Sequence, residues 1–82
     1  MKTIKVFGAG WCSGCKQLKD YLDVRGVEYT YYDIDTEEGG EEATKYTVRS
    51  LPTTVIERER EVSRILVGVQ QGMIEKEVVS GD

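Results

Sequence analysis

The sequence of 82 residues has no histidine, a single proline and only two cysteines, and these scarcities limit its chemistry. With no imidazole and two thiols, a four-ligand zinc site cannot be completed unless acidic residues or a second chain contribute. No apolar stretch approaches the roughly 18 residues that a membrane-spanning helix requires, so we expect no membrane segment. The N-terminal stretch Met1–Gly8 alternates in polarity and lacks the apolar centre of a secretory signal. We therefore expect a cytoplasmic protein.

Basic residues are also too few and too scattered to form a nucleic-acid surface. Eleven lysines and arginines stand among fifteen aspartates and glutamates, for a net charge of −4, whereas binding to a phosphate backbone needs a basic face. We expect no nucleic-acid partner. Hydrophobic residues make up 39% of the chain and no linker or repeat divides it, which favours one domain over residues 1–82 with an ordinary apolar core. We expect that domain to be a monomer.

Both cysteines lie in the segment Trp11-Cys12-Ser13-Gly14-Cys15-Lys16. Two intervening residues close so small a ring that chain-entropy arithmetic assigns a disulfide there only about 2 kcal/mol of stabilisation. A bond that stabilises so little is suited to being made and broken, and in a reducing compartment such a pair is more often catalytic or metal-binding than structural. If Cys12 is the N-cap of a helix, orphan N–H groups and the helix dipole favour a thiolate on its sulfur. Cys15, further inside, then becomes the resolving thiol.

The spacing of apolar residues predicts an α/β chain with the order β-α-β-α-β-β-α. The predicted elements are a strand over 3–7, a helix from Ser13 to about Arg25, a strand across 27–34, a short helix from about Glu41 to Tyr46, strands at 53–56 and 62–67, and a weak helix across 69–78. The second helix is placed late because Gly39 and Gly40 each cost about 1 kcal/mol relative to alanine, although Thr36 offers an earlier cap. The turn across 57–61 lacks the glycine or asparagine of a two-residue hairpin loop, so its type stays open.

Three separated motifs resemble those of the thioredoxin/glutaredoxin superfamily. Trp-Cys-x-x-Cys-Lys follows the first strand, Leu51-Pro52-Thr53 begins the third, and Val67-Gly68 closes the last. The resemblance implies the thioredoxin fold, with a four-stranded mixed sheet of order 2-1-3-4 and helices on both faces. It also implies a cis peptide bond between Leu51 and Pro52, close to the two cysteines.

The resemblance further implies a thiol-disulfide oxidoreductase that reduces protein disulfides. Cys12 would attack the substrate and Cys15 would release it, with no cofactor beyond the disulfide that these two residues form. A flavin-containing reductase of the thioredoxin-reductase type, or glutathione, would supply the electrons. Expected substrate-binding residues are Trp11, Ser13, Gly14, Leu51, Pro52 and Gly68. Lys16 is expected to stabilise the thiolate as a nearby cation.

Several of these residues also have plainer interpretations. Trp11 is either a half-buried core aromatic or a flat apolar wall for docking. Lys16 can be an ordinary solvated helix residue, and Pro52 a loop stiffener. Gly68 suggests a close approach or an unusual φ. Four glutamates, Glu37, Glu38, Glu41 and Glu42, are better explained as a solvated helix start than as a metal site, and the tyrosines at 29, 31, 32 and 46 as covers for the sheet faces.

The chain departs from both branches of this superfamily. Glutaredoxins usually carry a lysine two positions before the first cysteine and a Gly-Gly-x-Asp-Asp stretch that holds glutathione, where this chain has Gly10 and Gly68-Val69-Gln70-Gln71. Compared with thioredoxins, Ser-Gly replaces Gly-Pro between the cysteines, and Val6 replaces a buried acid. The alternatives are therefore a glutathione-dependent glutaredoxin, a metal or iron–sulfur protein that shares the pair across a dimer, and a redox-inert adaptor.

Overall fold

The computed structural model describes residues 2–59 and 61–69, and within them the chain forms one four-stranded sheet and two helices. The elements are β1 (Lys2–Gly8), α1 (Ser13–Val24), β2 (Thr30–Asp33), α2 (Glu37–Lys45), β3 (Thr53–Arg58) and β4 (Glu61–Val67). The strand order is β2-β1-β3-β4, with β1 parallel to β2 and the other neighbours antiparallel. The predicted fold class and sheet order are confirmed. Apart from Val69, the predicted last helix lies outside the described residues.

Strand β1 is the centre of the fold because its alternating side chains build a core on each face of the sheet. On one face α1 packs against a cluster made of Ile4, Val6, Leu18, Leu22, Ile56 and Leu66. On the other face α2 packs against a cluster made of Phe7, Ala43 and Val55. The two helices therefore cover opposite faces, as expected. Neither described helix is long and apolar enough to cross a bilayer.

Helix α1 forms where its apolar residues recur at helical spacing. Cys15, Leu18 and Leu22 all face the sheet and are buried, which places one apolar stripe against β1. The helix ends at its C-cap Arg25, and Gly26 follows with a φ of +69°, in the left-handed region that glycine tolerates. The predicted end of this helix is accurate to one residue.

Strand β2 is shorter than predicted, since it begins at Thr30 and not at Val27. The N–H of Val27 donates to the carbonyl of Leu22 at 3.1 Å, so this residue belongs to the exit from α1. In the turn after β3, Glu59 adopts a φ of +57° although it is not glycine. The hairpin between β3 and β4 also carries a register shift at Ile56 and Glu57.

The predicted start of the second helix was wrong. Helix α2 begins at Glu37, and Thr36 caps it, because the Thr36 hydroxyl oxygen accepts a hydrogen bond from the N–H of Gly39 at 3.0 Å. A Cβ added at Gly39 would collide with the carbonyl of Asp33 at the end of β2. Glycine is therefore required here for a close approach between helix and strand, and this packing outweighs its low helix propensity.

A polar network braces α2 against the sheet. The Lys5 ammonium donates to the Tyr46 hydroxyl at 2.8 Å, and that hydroxyl donates to Glu57 at 2.7 Å. Lys5 also lies 3.4 Å from Glu57 and 3.5 Å from Glu42. The hydrogen bond to Tyr46 and the nearby carboxylates hold the pKa of Lys5 above its usual range. Tyr46, the C-cap of α2, thus links β1 and β3 to that helix, in addition to covering the sheet.

The two glycines of α2 offer a matched test of this packing. We expect Gly39→Ala to lower the free energy of unfolding by about 1–3 kcal/mol, because the added methyl group forces the helix away from Asp33. Gly40→Ala is the control: its Cβ would stand 3.4 Å from the carbonyl of Ile34, so it gains helix propensity of at most about 1 kcal/mol. Urea titration measures both variants. Equal effects from the two substitutions would contradict this explanation.

Candidate active site

Cys12 begins α1 and provides its cap with its own side chain. Its backbone is extended, at φ −99° and ψ 109°, and its Sγ accepts a hydrogen bond from the N–H of Cys15 at 3.2 Å. The carbonyl of Cys12 accepts from the N–H of Lys16 at 3.3 Å. Cys12 is half-buried, and its sulfur lies at the positive end of the helix dipole, where a negative charge is favoured. The N-cap geometry predicted for Cys12 is therefore present.

Cys15 lies one helical turn deeper and is fully buried. Burial raises the pKa of the Cys15 thiol to about 11, and the hydrogen bond with Cys12 acts in the same direction. Room for this side chain comes from Gly8 at the end of β1, because a Cβ there would stand 2.9 Å from Cβ and 3.0 Å from Sγ of Cys15. Both cysteines are free thiols. Cys12 therefore lies at a helix terminus and is partly accessible, whereas the thiol of Cys15 is buried beneath Cys12 and held neutral.

Three distant segments meet beside the cysteines. The peptide bond between Leu51 and Pro52 is cis, and Pro52 is buried. A Cβ added at Gly14 would stand 3.6 Å from Cδ of Pro52 and 3.2 Å from Cγ2 of Val69. Gly68 has a φ of +88° and donates its N–H to the carbonyl of Pro52 at 2.8 Å. The start of α1, the entry to β3 and the exit from β4 thus form one surface.

Trp11 lies on this surface and outside the core, with 71% of its area exposed. Its indole N–H donates to Asp35 at 3.0 Å, which fixes the orientation of the ring. The interpretation of Trp11 as a half-buried core aromatic was wrong. A cavity of about 400 Å³ opens next to it, lined by Trp11, Cys12, Ile34, Gly40, Ala43, Val48, Arg49 and Leu51.

The remaining predicted residues are more peripheral. Ser13 and Lys16 are exposed in the first turn of α1, and stabilisation of a thiolate by Lys16 stays a prediction. Sequence reasoning missed Asp35 because nothing in the spacing links it to Trp11, 24 residues away. It also missed Gly8 as the neighbour of Cys15, although the run Gly8-Ala9-Gly10 after a strand signals a close approach of backbone.

No cluster suited to a metal ion is found in the described residues, since no three His, Cys, Asp or Glu side chains gather there. Within the glutamate group that opens α2, Glu42 pairs with Lys45 at 2.7 Å and with Lys5 at 3.5 Å. Glu37 and Glu38 occupy the first turn of the helix, where carboxylates interact favourably with its dipole.

Comparison with known proteins identifies relatives in both sequence and structure. The glutaredoxin family model matches residues 4–61. The chain is 32% identical over 66 residues to the chloroplastic M-type thioredoxin of Pisum sativum, covering 76% of this chain and 38% of that protein. It is 32% identical over 78 residues to the thioredoxin of Bacillus subtilis, covering 90% of this chain and 75% of that protein.

The structural comparison agrees in fold. The Fasciola hepatica thioredoxin has a TM-score of 0.86 to this chain at 22% identity, covering 99% of this chain and 81% of that one. The thioredoxin of Trypanosoma brucei brucei has a TM-score of 0.81 at 25% identity, covering 98% and 74% of the two chains. This chain spans only 36% to 40% of the length of four chloroplastic thioredoxins that it matches.

Alkylation of the reduced protein should separate the two cysteines by pH. At neutral pH we expect iodoacetamide to modify Cys12 and spare Cys15, which becomes reactive only as the pH approaches about 11 or when the chain unfolds. Because folding raises the pKa of Cys15 from 9.0 to about 11, its contribution to stability is complete below pH 9.0 and is lost as the pH rises through this window. Peptide mapping by mass spectrometry measures the modification. Equal labelling of both cysteines in the folded protein at neutral pH would contradict the expected difference between Cys12 and Cys15.

Proposed function

Because the chain belongs to the thioredoxin/glutaredoxin superfamily of oxidoreductases, we propose that it reduces protein disulfides through Cys12 and Cys15. The observation that carries this proposal is the cap of α1, where the sulfur of the half-buried Cys12 accepts a hydrogen bond from the N–H of Cys15 at 3.2 Å. Helix dipole and hydrogen bond favour a thiolate there. The second thiol lies one turn away in the interior, where it stays neutral until it is needed.

The reaction proceeds by two thiol-disulfide exchanges. The Cys12 thiolate attacks one sulfur of the substrate disulfide, and the other substrate sulfur leaves as a thiolate that takes a proton from water. Cys15 then loses its proton and attacks the sulfur of Cys12. The bond between Cys12 and the substrate breaks, and the second substrate sulfur leaves and is protonated. Two electrons have passed to the substrate, and a disulfide between Cys12 and Cys15 remains, with no further cofactor.

The surface around Cys12 fits a polypeptide substrate better than a small polar one. Trp11 offers an exposed flat ring that Asp35 holds in place, and Leu51 lines the adjoining cavity. Aromatic side chains of this kind are frequent anchors in protein interfaces. Together with the backbone at Pro52, they form an apolar wall along which the segment that carries a disulfide can lie.

The electron donor separates two versions of this function. We favour a flavoenzyme of the thioredoxin-reductase type that draws on NADPH, since the similar curated proteins named above are thioredoxins. Reduction by glutathione is the second candidate, which the match to the glutaredoxin family model favours. Arg49 lines the cavity beside Cys12 and offers a cation for a glutathione carboxylate.

Cysteine variants test the proposed mechanism. In an insulin reduction assay we expect Cys12→Ser to abolish turnover, and Cys15→Ser to accumulate a mixed disulfide between Cys12 and the substrate, because the resolving thiol is missing. The assay is run with NADPH and a thioredoxin reductase in one arm and with glutathione and glutathione reductase in the other. Absence of turnover by the wild-type protein with every reductase and thiol donor would refute the function, and turnover with glutathione alone would select the second candidate.

Trp11 is predicted to act in docking and not in the exchange itself. We expect Trp11→Ala to raise KM for insulin by about tenfold, as for an interface anchor, while the rate with the small bis(2-hydroxyethyl) disulfide stays near that of the wild type. Val24→Ala is the control, because Val24 is 87% exposed at the far end of α1. An equal loss with both substrates would mean that Trp11 does not serve as a docking wall.

A further inference from the structure

Release of the substrate requires Cys15 to lose a proton in a position that opposes its ionisation. The side chain is fully buried, and burial raises its pKa. Val6 occupies the position where the resemblance leads one to expect an acid. It is also fully buried, and its side chain has no polar atom. Some other group must therefore stabilise the sulfur as it becomes negative, since an uncompensated buried charge is costly.

Tyr31 is the polar residue that the sheet brings to this place. It pairs with Val6 across β1 and β2 and belongs to the face that α1 covers. The point where a Cβ of Gly8 would stand is 2.5 Å from the hydroxyl oxygen of Tyr31 and 3.0 Å from Sγ of Cys15. The hydroxyl and the thiol therefore both border the small gap that the absent side chain of Gly8 leaves.

We propose that the hydroxyl of Tyr31 donates a hydrogen bond to the sulfur of Cys15 as that sulfur ionises in the resolving step, an inference that rests on the proposed function. The proton of Cys15 passes to water, and the thiolate attacks Cys12 while the bond between Cys12 and the substrate breaks. Tyr31 neither forms nor breaks a covalent bond. It is a positioning residue that lowers the free energy of the buried thiolate.

The charges around Tyr31 keep its hydroxyl protonated and hence a donor. Burial raises the pKa of Tyr31, and negative charge on Cys15, Asp33 and Cys12 raises it further. Two other elements lie next to the ring of Tyr31. Lys19 of α1 places its ammonium 5.5 Å from the ring centroid, and β1 contributes the uncharged residues Val6 and Gly8.

Water can accept the proton that Cys15 loses, because the site is not sealed on the side of the tyrosine. Tyr31 is only half-buried and lines a surface cavity of about 670 Å³, together with Lys19 and Tyr29. Tyr31 therefore borders both the gap beside the thiol and a cavity that is open to solvent.

The test is Tyr31→Phe, which removes the hydroxyl and keeps the ring against the core. We expect the mixed disulfide between Cys12 and a disulfide-bonded peptide to resolve about tenfold more slowly, the effect of losing one hydrogen bond to a charged group. The pH dependence of this step should shift to more alkaline pH. Formation of the mixed disulfide should be unchanged, because the attacking sulfur of Cys12 is capped by the N–H of Cys15 and not by this hydroxyl. Acid quenching followed by mass spectrometry measures both steps.

Tyr32→Phe is the matched control, because Tyr32 is the next residue on β2, faces α2, and stacks on Phe7 at 5.3 Å. If Tyr31→Phe resolves like the wild type, or if both variants slow the step equally, the inference is overturned. If Tyr31→Phe does not fold, 3-fluorotyrosine at position 31 replaces it. This side chain is a stronger donor, so resolution should become faster, and an unchanged or slower rate would overturn the inference. Failure of the proposed function is distinct, since the wild-type protein would then form no mixed disulfide.

Discussion

The hydrogen bond from the N–H of Cys15 to the sulfur of Cys12 is the interaction on which the site depends. One atom completes the first turn of α1 and, in the proposed function, also carries the chemistry. A thiolate is a stronger acceptor than a thiol and interacts favourably with the helix dipole, by about 0.3–1 kcal/mol at an exposed terminus. In the proposed function this benefit would belong to the reduced form alone, so the strength of the cap would also tune the reduction potential of the pair.

The rest of the fold holds that helix terminus in place. Leu18 and Leu22 fix α1 against β1, and Gly8 ends this strand directly beneath Cys15. On the opposite face, the network of Lys5, Tyr46 and Glu57 ties α2 to the sheet without contacting the thiols. Stability and the proposed chemistry are thus separated, with this network on the face that α2 covers and the two cysteine sulfurs at the start of α1.

The features that could be predicted from the sequence are those that depend on residues close together in the chain. The spacing of the cysteines, the cap at Cys12 and the stop at Gly26 each follow from a few neighbouring residues, and the alternation in β1 follows from its own side chains. The start of α2 was missed because Gly39 is chosen for its approach to Asp33, a contact made only in the folded chain. The hydrogen bond from Trp11 to Asp35 and the position of Tyr31 beside Cys15 were missed for the same reason, since both join residues that are far apart in the chain. From the sequence, Tyr31 was expected only to cover a face of the sheet.

A hydroxyl beside the resolving thiol suits a small core better than a carboxylate would. An ionised acid in the interior has a large desolvation cost unless it is paired, and β1 carries the apolar, fully buried Val6 two residues before Gly8. A neutral tyrosine costs less to bury and covers the apolar cluster with its ring. Its hydroxyl contributes most when Cys15 becomes charged, because hydrogen bonds to charged groups are roughly twice as strong as neutral ones. Stabilisation is then concentrated at the step that needs it.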